Sequence, residues 1–222
     1  MLIRNCSLEG KTGRFNVRIS GDKIIEITQF SASLEPQKSE EVFEADGALL
    51  TSALAEPHAH LDKAFLSERI ANPTGDLMGA INAMEANRHL ITVADTIERA
   101  ERAVRLMASN GVTAIRTHAD VTEWNSLDAV EALLEVRNRT KDLVDLQICA
   151  LLGWPLSGDE GKKNIQLGRR AIEMGANILG GCPHLDVDPI GANIALLELA
   201  GELDCNLDLH TDEHTDVNRL SL

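Results

Sequence analysis

Histidines and carboxylates in this chain gather at the ends of apolar runs, and their spacing is that of a metal site. His58 and His60 stand one residue apart in A-E-P-H-A-H-L-D-K-A-F, directly after the apolar run 48–54. In a β-strand, side chains i and i+2 share a face, so both imidazoles project side by side from a strand end. Two imidazoles so placed can grip one divalent ion. His210 and Glu213 form H-x-x-E beyond another apolar run, D-C-N-L-D-L-H. Three imidazoles from two strands suit Zn²⁺ or Fe²⁺ with room left for a water, whose pKa such an ion lowers towards about 7. Glu213, about one turn on from His210, is placed to take the proton from that water and pass it to a leaving nitrogen. The chemistry is metal-assisted hydrolysis. H-x-H by itself is a weak motif; the weight comes from the joint placement of the two segments.

The elements that must position these residues alternate. Residues 1–47 read as short strands, Leu2 to Cys6, Arg14 to Ile19, Lys23 to Thr28 and Glu41 to Phe43, separated by Gly-containing turns. From residue 48 the pattern becomes strand–helix–strand. The first strand ends at H-x-H. A long connection follows, Leu66 to Leu90, with a short helix from Asp76 to Ala86; loops of this length are uncommon unless functional, and this one leaves the histidine-bearing strand end. Helices are expected over Ala94–Ser109, from a cap at Ser126 through Arg139, over Lys162–Met174 and over Ile190–Glu202. Strands are expected over Val112–Thr117, Leu143–Leu152, Asn177–Gly181 and Asn206–His210. Such alternation implies a parallel sheet with helical crossovers. His58, His60, His118, Asp120, His184, His210 and Glu213 all fall at the C-terminal strand ends, the face that carries the site in a (β/α)₈ barrel and in a doubly wound sheet alike.

Composition narrows the function classes. The chain of 222 residues carries 21 basic against 35 acidic side chains, a net charge of −14. Nucleic acid and anionic membranes need clustered Lys and Arg, so neither is expected as a partner. Cys6, Cys149, Cys182 and Cys205 are far apart with no C-x-x-C pair, and free thiols of this kind point to a reducing cytoplasm. No signal peptide or membrane span is legible. Homo-oligomerisation is left open.

E-P-H-A-H-L-D-K, I-R-T-H-A-D, G-G-C-P-H and D-L-H-T-D-E, in this order and spacing, resemble the cytosine deaminase branch of the amidohydrolase superfamily over nearly the whole chain. The resemblance implies a partial (β/α)₈ TIM barrel of the metal-dependent hydrolase type, about five βα units in 48–222. It places a small β-structure, part of a β-sandwich, ahead of it in 1–47. It implies one divalent metal ion, zinc or iron, on His58, His60 and His210, with Glu213 as proton shuttle. The fourth strand, N-I-L-G-G, has no lysine where dihydroorotase- and hydantoinase-like relatives carry a bridging carbamylated lysine, which fits a single-metal site.

Two departures stand out. Cytosine deaminases place a glutamine beyond the third strand against the pyrimidine edge, and L-L-G-W-P has none. The expected substrate is therefore another small heterocycle, an aminopyrimidine, pterin, triazine or cyclic guanidine. Trp154 is placed to stack on a planar ring, and His118 and His184 are further substrate-binding candidates; Asp120 is read with His118 as lining the pocket. Asp62 and Lys63 match the family motif without an assigned role, and Asp212 and His214 read as loop hydrogen-bonders. Second, the family's barrel continues through strands six to eight, which bring a further His and a metal-binding Asp, and residues 1–222 stop short of both. A catalytically incomplete remnant or subunit of such a barrel is therefore the alternative. A phosphate- or sugar-binding barrel would explain the alternation but not H-x-H together with H-x-x-E.

Overall fold

The computed structural model describes residues 1–211 and Glu213. Asp212 and His214 lie outside the described residues. The chain divides into two compact units, Met1–Ala53 and Leu54–Leu222.

The first unit is a small sheet. β1 (Leu2–Leu8) pairs antiparallel with β2 (Phe15–Ser20), which pairs antiparallel with β3 (Lys23–Gln29). β4 (Val42–Glu44) and β5 (Leu49–Leu50) both run parallel to β1. The β1–β2 register shifts between Ile3 and Cys6, where Asn5 takes a φ of 55°, a conformation asparagine tolerates better than most residues. Ile3, Cys6 and Val17 form the core, packed by Leu8, Phe15 and Ile19. The Arg18 guanidinium is buried and donates to Glu40 at 2.7 Å and to Glu26, so the charge is paired rather than left bare.

The second unit is a curled parallel sheet of five strands in the order β10-β9-β8-β7-β6. β6 spans Leu54–Ala59, β7 Val112–Val121, β8 Asp145–Leu152, β9 Ile178–Gly181 and β10 Asn206–Leu209. Consecutive strands are joined through α2 (Val93–Ser109), α3 (Asp128–Thr140), α4 (Gly158–Met174) and α5 (Pro189–Leu203), while α1 (Leu77–Ala86) lies within the first connection. The architecture is that of a partial TIM barrel.

Period-2 alternation sorts the strands' side chains. Ile115, Ala119 and Val121 of β7, Leu146, Ile148, Ala150 and Leu152 of β8, and Leu179 of β9 pack with Ala100 and Val104 of α2, Val130 and Leu133 of α3 and Leu196 of α5. Each such large side chain contributes about 1.5–3 kcal/mol by burial. The intervening positions face the other way: Arg116, His118 and Asp120 of β7, Gln147 and Cys149 of β8, Gly180 of β9 and Asp208 of β10. Parallel strands covered on both faces are ordinarily apolar throughout. In this sheet one face is polar, and that face carries the site.

Three expectations shift in detail. The apolar run 48–54 is divided: Leu49–Leu50 pairs in the first unit, and β6 begins at Leu54. Ser126 does not cap α3; it sits in the preceding turn at φ 53°, and the helix starts at Asp128 without a side-chain cap. β7 runs four residues further than read, to Val121, so that His118 and Asp120 lie within it. The connection after β6 forms α1 as expected, capped by Asp76, which accepts from the Gly79 N–H at 2.7 Å. Leu66, Met84 and Ile91 of this connection close a cavity of about 20 Å³ over Asp62, Lys63 and Asp120, room for a single water.

Candidate metal centre

Four imidazoles converge at the C-terminal end of the polar face. His58 lies in β6, His60 one residue beyond it, His118 in β7 and His210 one residue past β10. One ring nitrogen from each lies within 4.8 Å of the others. The His58 and His118 ring centroids are 4.4 Å apart, His58 and His210 4.7 Å, and His118 and His210 4.8 Å. The Nε2 atoms of His60 and His210 stand 3.2 Å from each other. The three histidines expected as ligands are thus brought together, and His118, read from the sequence as a substrate contact, joins them.

The donor set suits a divalent ion. His118 is fully buried, with no close hydrogen bond to either ring nitrogen and Asp208 as its nearest carboxylate; Nδ1 of His210 is also buried and unpartnered. Unpaired buried polar atoms are costly, and a cation bound among the four rings would take up one nitrogen of His118. Three of the rings are held in the neutral form by burial. Burial, then the Lys63 charge, pushes His60 down to about 3. Burial, then His118 and His58, pushes His210 down to about 4. Burial likewise lowers His118. Neutral imidazole is the form that ligates. An all-nitrogen set of four matches tetrahedral zinc and also suits iron.

Beneath the imidazoles lies a charged floor. Arg116 donates to Asp208 at 2.7 Å and to Gln147 at 2.6 Å, and the other Asp208 oxygen stands 3.5 Å from His118 Nε2. Beside them is a second cluster. The Lys63 ammonium donates to Asp120 at 2.6 Å, reaches Asp62 at 3.3 Å, and lies 3.2 Å from His60 Nδ1. Burial opposes this charge, but Asp120 and Asp62 outweigh it and hold the ammonium above its ordinary range. Burial and the Asp62 charge push the Asp120 carboxyl up while Lys63 holds it back; with a bond of 2.6 Å the pair is ionised. Asp62 also accepts from the Asp120 N–H at 3.0 Å. The turn bearing Asp62 and Lys63 is pinned by buried Arg99 of α2, which donates to the carbonyls of Asp62 and Ala64 at 2.9 and 2.8 Å.

The remaining candidates are arranged around this centre. His184 lies in a 3-10 turn, Pro183–Leu185, after β9; its Nδ1 donates to the His210 carbonyl at 3.0 Å. Its Nε2 is buried and stands 3.8 Å from Glu213 Oε2. Glu213 is half-exposed at the mouth. Cys182 is pushed up to about 12, first by burial and then by the charges of Asp120 and Glu213, so the thiol stays protonated. Trp154 stands on the loop after β8, 39 % exposed. Sequence reasoning missed Asp208, Arg116 and the bonds of the Asp62–Lys63–Asp120 cluster. R-T-H-A-D on a strand puts Arg116, His118 and Asp120 on one face, which was the available signal; the partner of each was not.

No family model matches the chain. A pterin deaminase of Rhizobium rhizogenes is 32% identical over 169 residues, 76% of this chain and 38% of that protein. The N-isopropylammelide isopropyl amidohydrolase of Pseudomonas sp. is 30% identical over an alignment of 230 positions covering 100% of this chain and 55% of the relative. The crystal structure of 5-methylcytosine deaminase from Klebsiella pneumoniae liganded with 5-fluorocytosine superposes with a TM-score of 0.83 at 34% identity, over 97% of this chain and 52% of that one. The chain therefore spans 38 to 55% of the length of these curated relatives. With its H-x-H and H-x-x-E segments on one strand-end face and these relatives aligned along it, the chain belongs to the amidohydrolase superfamily, in its cytosine deaminase-like branch.

Proposed function

We propose that the chain forms the metal-binding part of an enzyme that hydrolyses a C–N bond of a small nitrogen heterocycle. The observation that carries this reading is the convergence of four imidazoles, one ring nitrogen of each within 4.8 Å of the others, at the C-terminal ends of the strands. His58, His60 and His210 hold one divalent ion, zinc or iron, and His118 offers a fourth nitrogen. When bound, the ion supplies Lewis acidity that ionises water near neutral pH. Glu213 accepts the water's proton on a carboxylate oxygen and returns it to the leaving nitrogen. Its half-exposed position at the mouth suits a group that must meet both water and substrate. His184 ties the loop after β9 to the main chain of His210, and Trp154 offers a flat apolar face to a ring entering from solvent.

The substrate class follows from planarity and from the relatives. Proteins named for pterin, N-isopropylammelide and 5-methylcytosine chemistry are similar to this chain, and all three names denote amino- or alkylamino-substituted nitrogen rings. Among the described residues no helix is long and apolar enough to cross a membrane, and the four cysteines are free. Both suit a cytoplasmic enzyme. The test is release of ammonia or amine from a panel of aminopyrimidines, pterins and triazines, run on protein whose metal content is known. Turnover of one class, lost on chelation and restored by zinc or iron, supports the reading. Metal-replete, folded protein silent on the whole panel would count against it.

A further inference from the structure

The loop after β8 carries Trp154 on a main chain that is tied down on both sides. Before it, the Gly153 N–H donates to the Val121 carbonyl of β7 at 2.8 Å. After it, buried Asn164 of α4 donates to the Pro155 carbonyl at 2.9 Å, and the Leu156 side chain is buried in the core of the second unit. The first turn of α4 presses on the same stretch. A Cβ added to Gly161 would stand 2.3 Å from the Leu156 carbonyl carbon and oxygen, so only glycine lets the helix approach this closely. Trp154 itself is left 39 % exposed.

A second loop supplies the remaining tie. Asp186 directly follows the 3-10 turn that bears His184. Its Oδ2 accepts from the Leu156 and Ser157 N–H groups at 2.6 and 3.2 Å, and its Oδ1 from Ser157 Oγ at 2.7 Å and the Asp188 N–H at 3.1 Å. A carboxylate offers about four acceptor sites, so these bonds fill them and leave none for a ligand. Asp186 is also buried. Its part is therefore to fix one loop to the other, not to touch a substrate. The two loops are neighbours because β8 and β9 are paired strands, and both leave the end of the sheet where the imidazoles converge.

We propose that Asp186 is a positioning residue for substrate, which holds Trp154 as a fixed wall of the site by clamping the loop after β8 to the turn after β9. A planar ring then meets an indole already in place, and binding does not have to order the loop first. Without the clamp, Trp154 samples positions away from the ring. Stacking then weakens in the ground state and the transition state alike, which raises KM more than it lowers kcat. The consequence for substrate rests on the reading of this face as the site of a heterocycle hydrolase; the clamp itself does not.

The clamp is tested without substrate. In a Trp124→Phe background, which leaves Trp154 as the single tryptophan, fluorescence anisotropy and acrylamide quenching report the mobility and exposure of the indole. Asp186→Asn sets an NH₂ donor against N–H and O–H donors and is expected to lower the anisotropy of Trp154 and raise its quenching. An indole as immobile in folded Asp186→Asn as in wild type overturns the proposal, whether or not any substrate is found. Should that variant fail to fold, Ser157→Ala, which removes one donor to the same carboxylate, is expected to move both readings the same way by less, and no movement overturns the proposal. The second arm measures KM and kcat on whichever of cytosine, pterin and N-isopropylammelide the wild type hydrolyses. Trp154→Ala is expected to raise KM on the order of ten-fold, and Asp186→Asn to raise it by up to the same factor, with kcat nearer wild type in both. The double variant should match Trp154→Ala alone, because Asp186 acts through Trp154. KM factors that multiply in the double variant overturn the proposal. A wild type silent on all three compounds counts against the heterocycle reading, and the fluorescence still decides the clamp.

Discussion

Glu213→Gln keeps the shape of the side chain and removes its capacity to take a proton. Turnover is expected to fall about 10²- to 10⁴-fold, with metal content and KM near wild type, as read by steady-state kinetics and metal analysis. Wild-type turnover in this variant would remove Glu213 from the chemistry. His118 poses a different question, because a ligand and a substrate contact leave different traces. If it supplies the fourth nitrogen, His118→Leu weakens metal binding by on the order of ten-fold or more. A substrate contact alone would raise KM and leave metal affinity intact.

At the scale of elements, the close approach of strands sets the site's geometry. A Cβ added to Gly180 would stand 2.7 Å from Cys149 Sγ and 2.8 Å from the Asp208 carbonyl oxygen. The second contact is backbone, so β10 must move, and with it Asp208 and the His210 that follows. Gly180→Ala is expected to destabilise the protein by about 1–3 kcal/mol and to weaken metal binding, checked by chemical unfolding and chelator competition. An undisturbed metal site would show that β10 is free to adjust. Asp186 has a comparable role between loops. Its buried carboxylate accepts from the N–H groups of Leu156 (2.6 Å), Ser157 (3.2 Å) and Asp188 (3.1 Å) and from Ser157 Oγ (2.7 Å). Burial works against its ionisation, but these bonds together win and hold it below the usual carboxylate range. A depressed folded-state pKa stabilises above the unfolded value, about 3.9, and that contribution is lost as pH falls through the lower folded value. Asp186→Asn is therefore expected to cost about 2 kcal/mol at pH 7, with the gap to wild type narrowing below about pH 4. A gap independent of pH would mean that the charge is not what the four donors recognise.

For the molecule as a whole, much of the architecture was legible because two periodicities alternate along the chain. Residues such as Ala100 and Val104 recur at helical spacing, while Ile148, Ala150 and Leu152 recur at strand spacing, and the strand order follows chain order. The convergence of His58, His60 and His210 was legible for the same reason: each ends an apolar strand, and parallel strands bring their C-terminal ends together. What sequence could not supply were pairings across strands. Nothing in R-T-H-A-D says that Arg116 meets Asp208, or that Asp120 shares Lys63 with Asp62, because those contacts depend on register and curvature. His118 was placed on the correct face, but its membership of the imidazole cluster depends on ring positions that only packing defines. The change between the two units was read at residue 48, whereas the units divide at Ala53–Leu54, because Leu49–Leu50 pairs with β1 and hydrophobicity alone does not say with which sheet a short run pairs.

The measurement that bears most directly on the central claim is metal stoichiometry. Purified protein, loaded with zinc or iron and freed of excess ion, is expected to hold close to one equivalent. Thermal stability should rise with free ion as binding to the folded state requires, and His58→Asn, His60→Asn and His210→Asn should each abolish stoichiometric retention. Folded wild-type protein that retains no divalent ion, or that retains it undiminished in all three variants, would contradict the account.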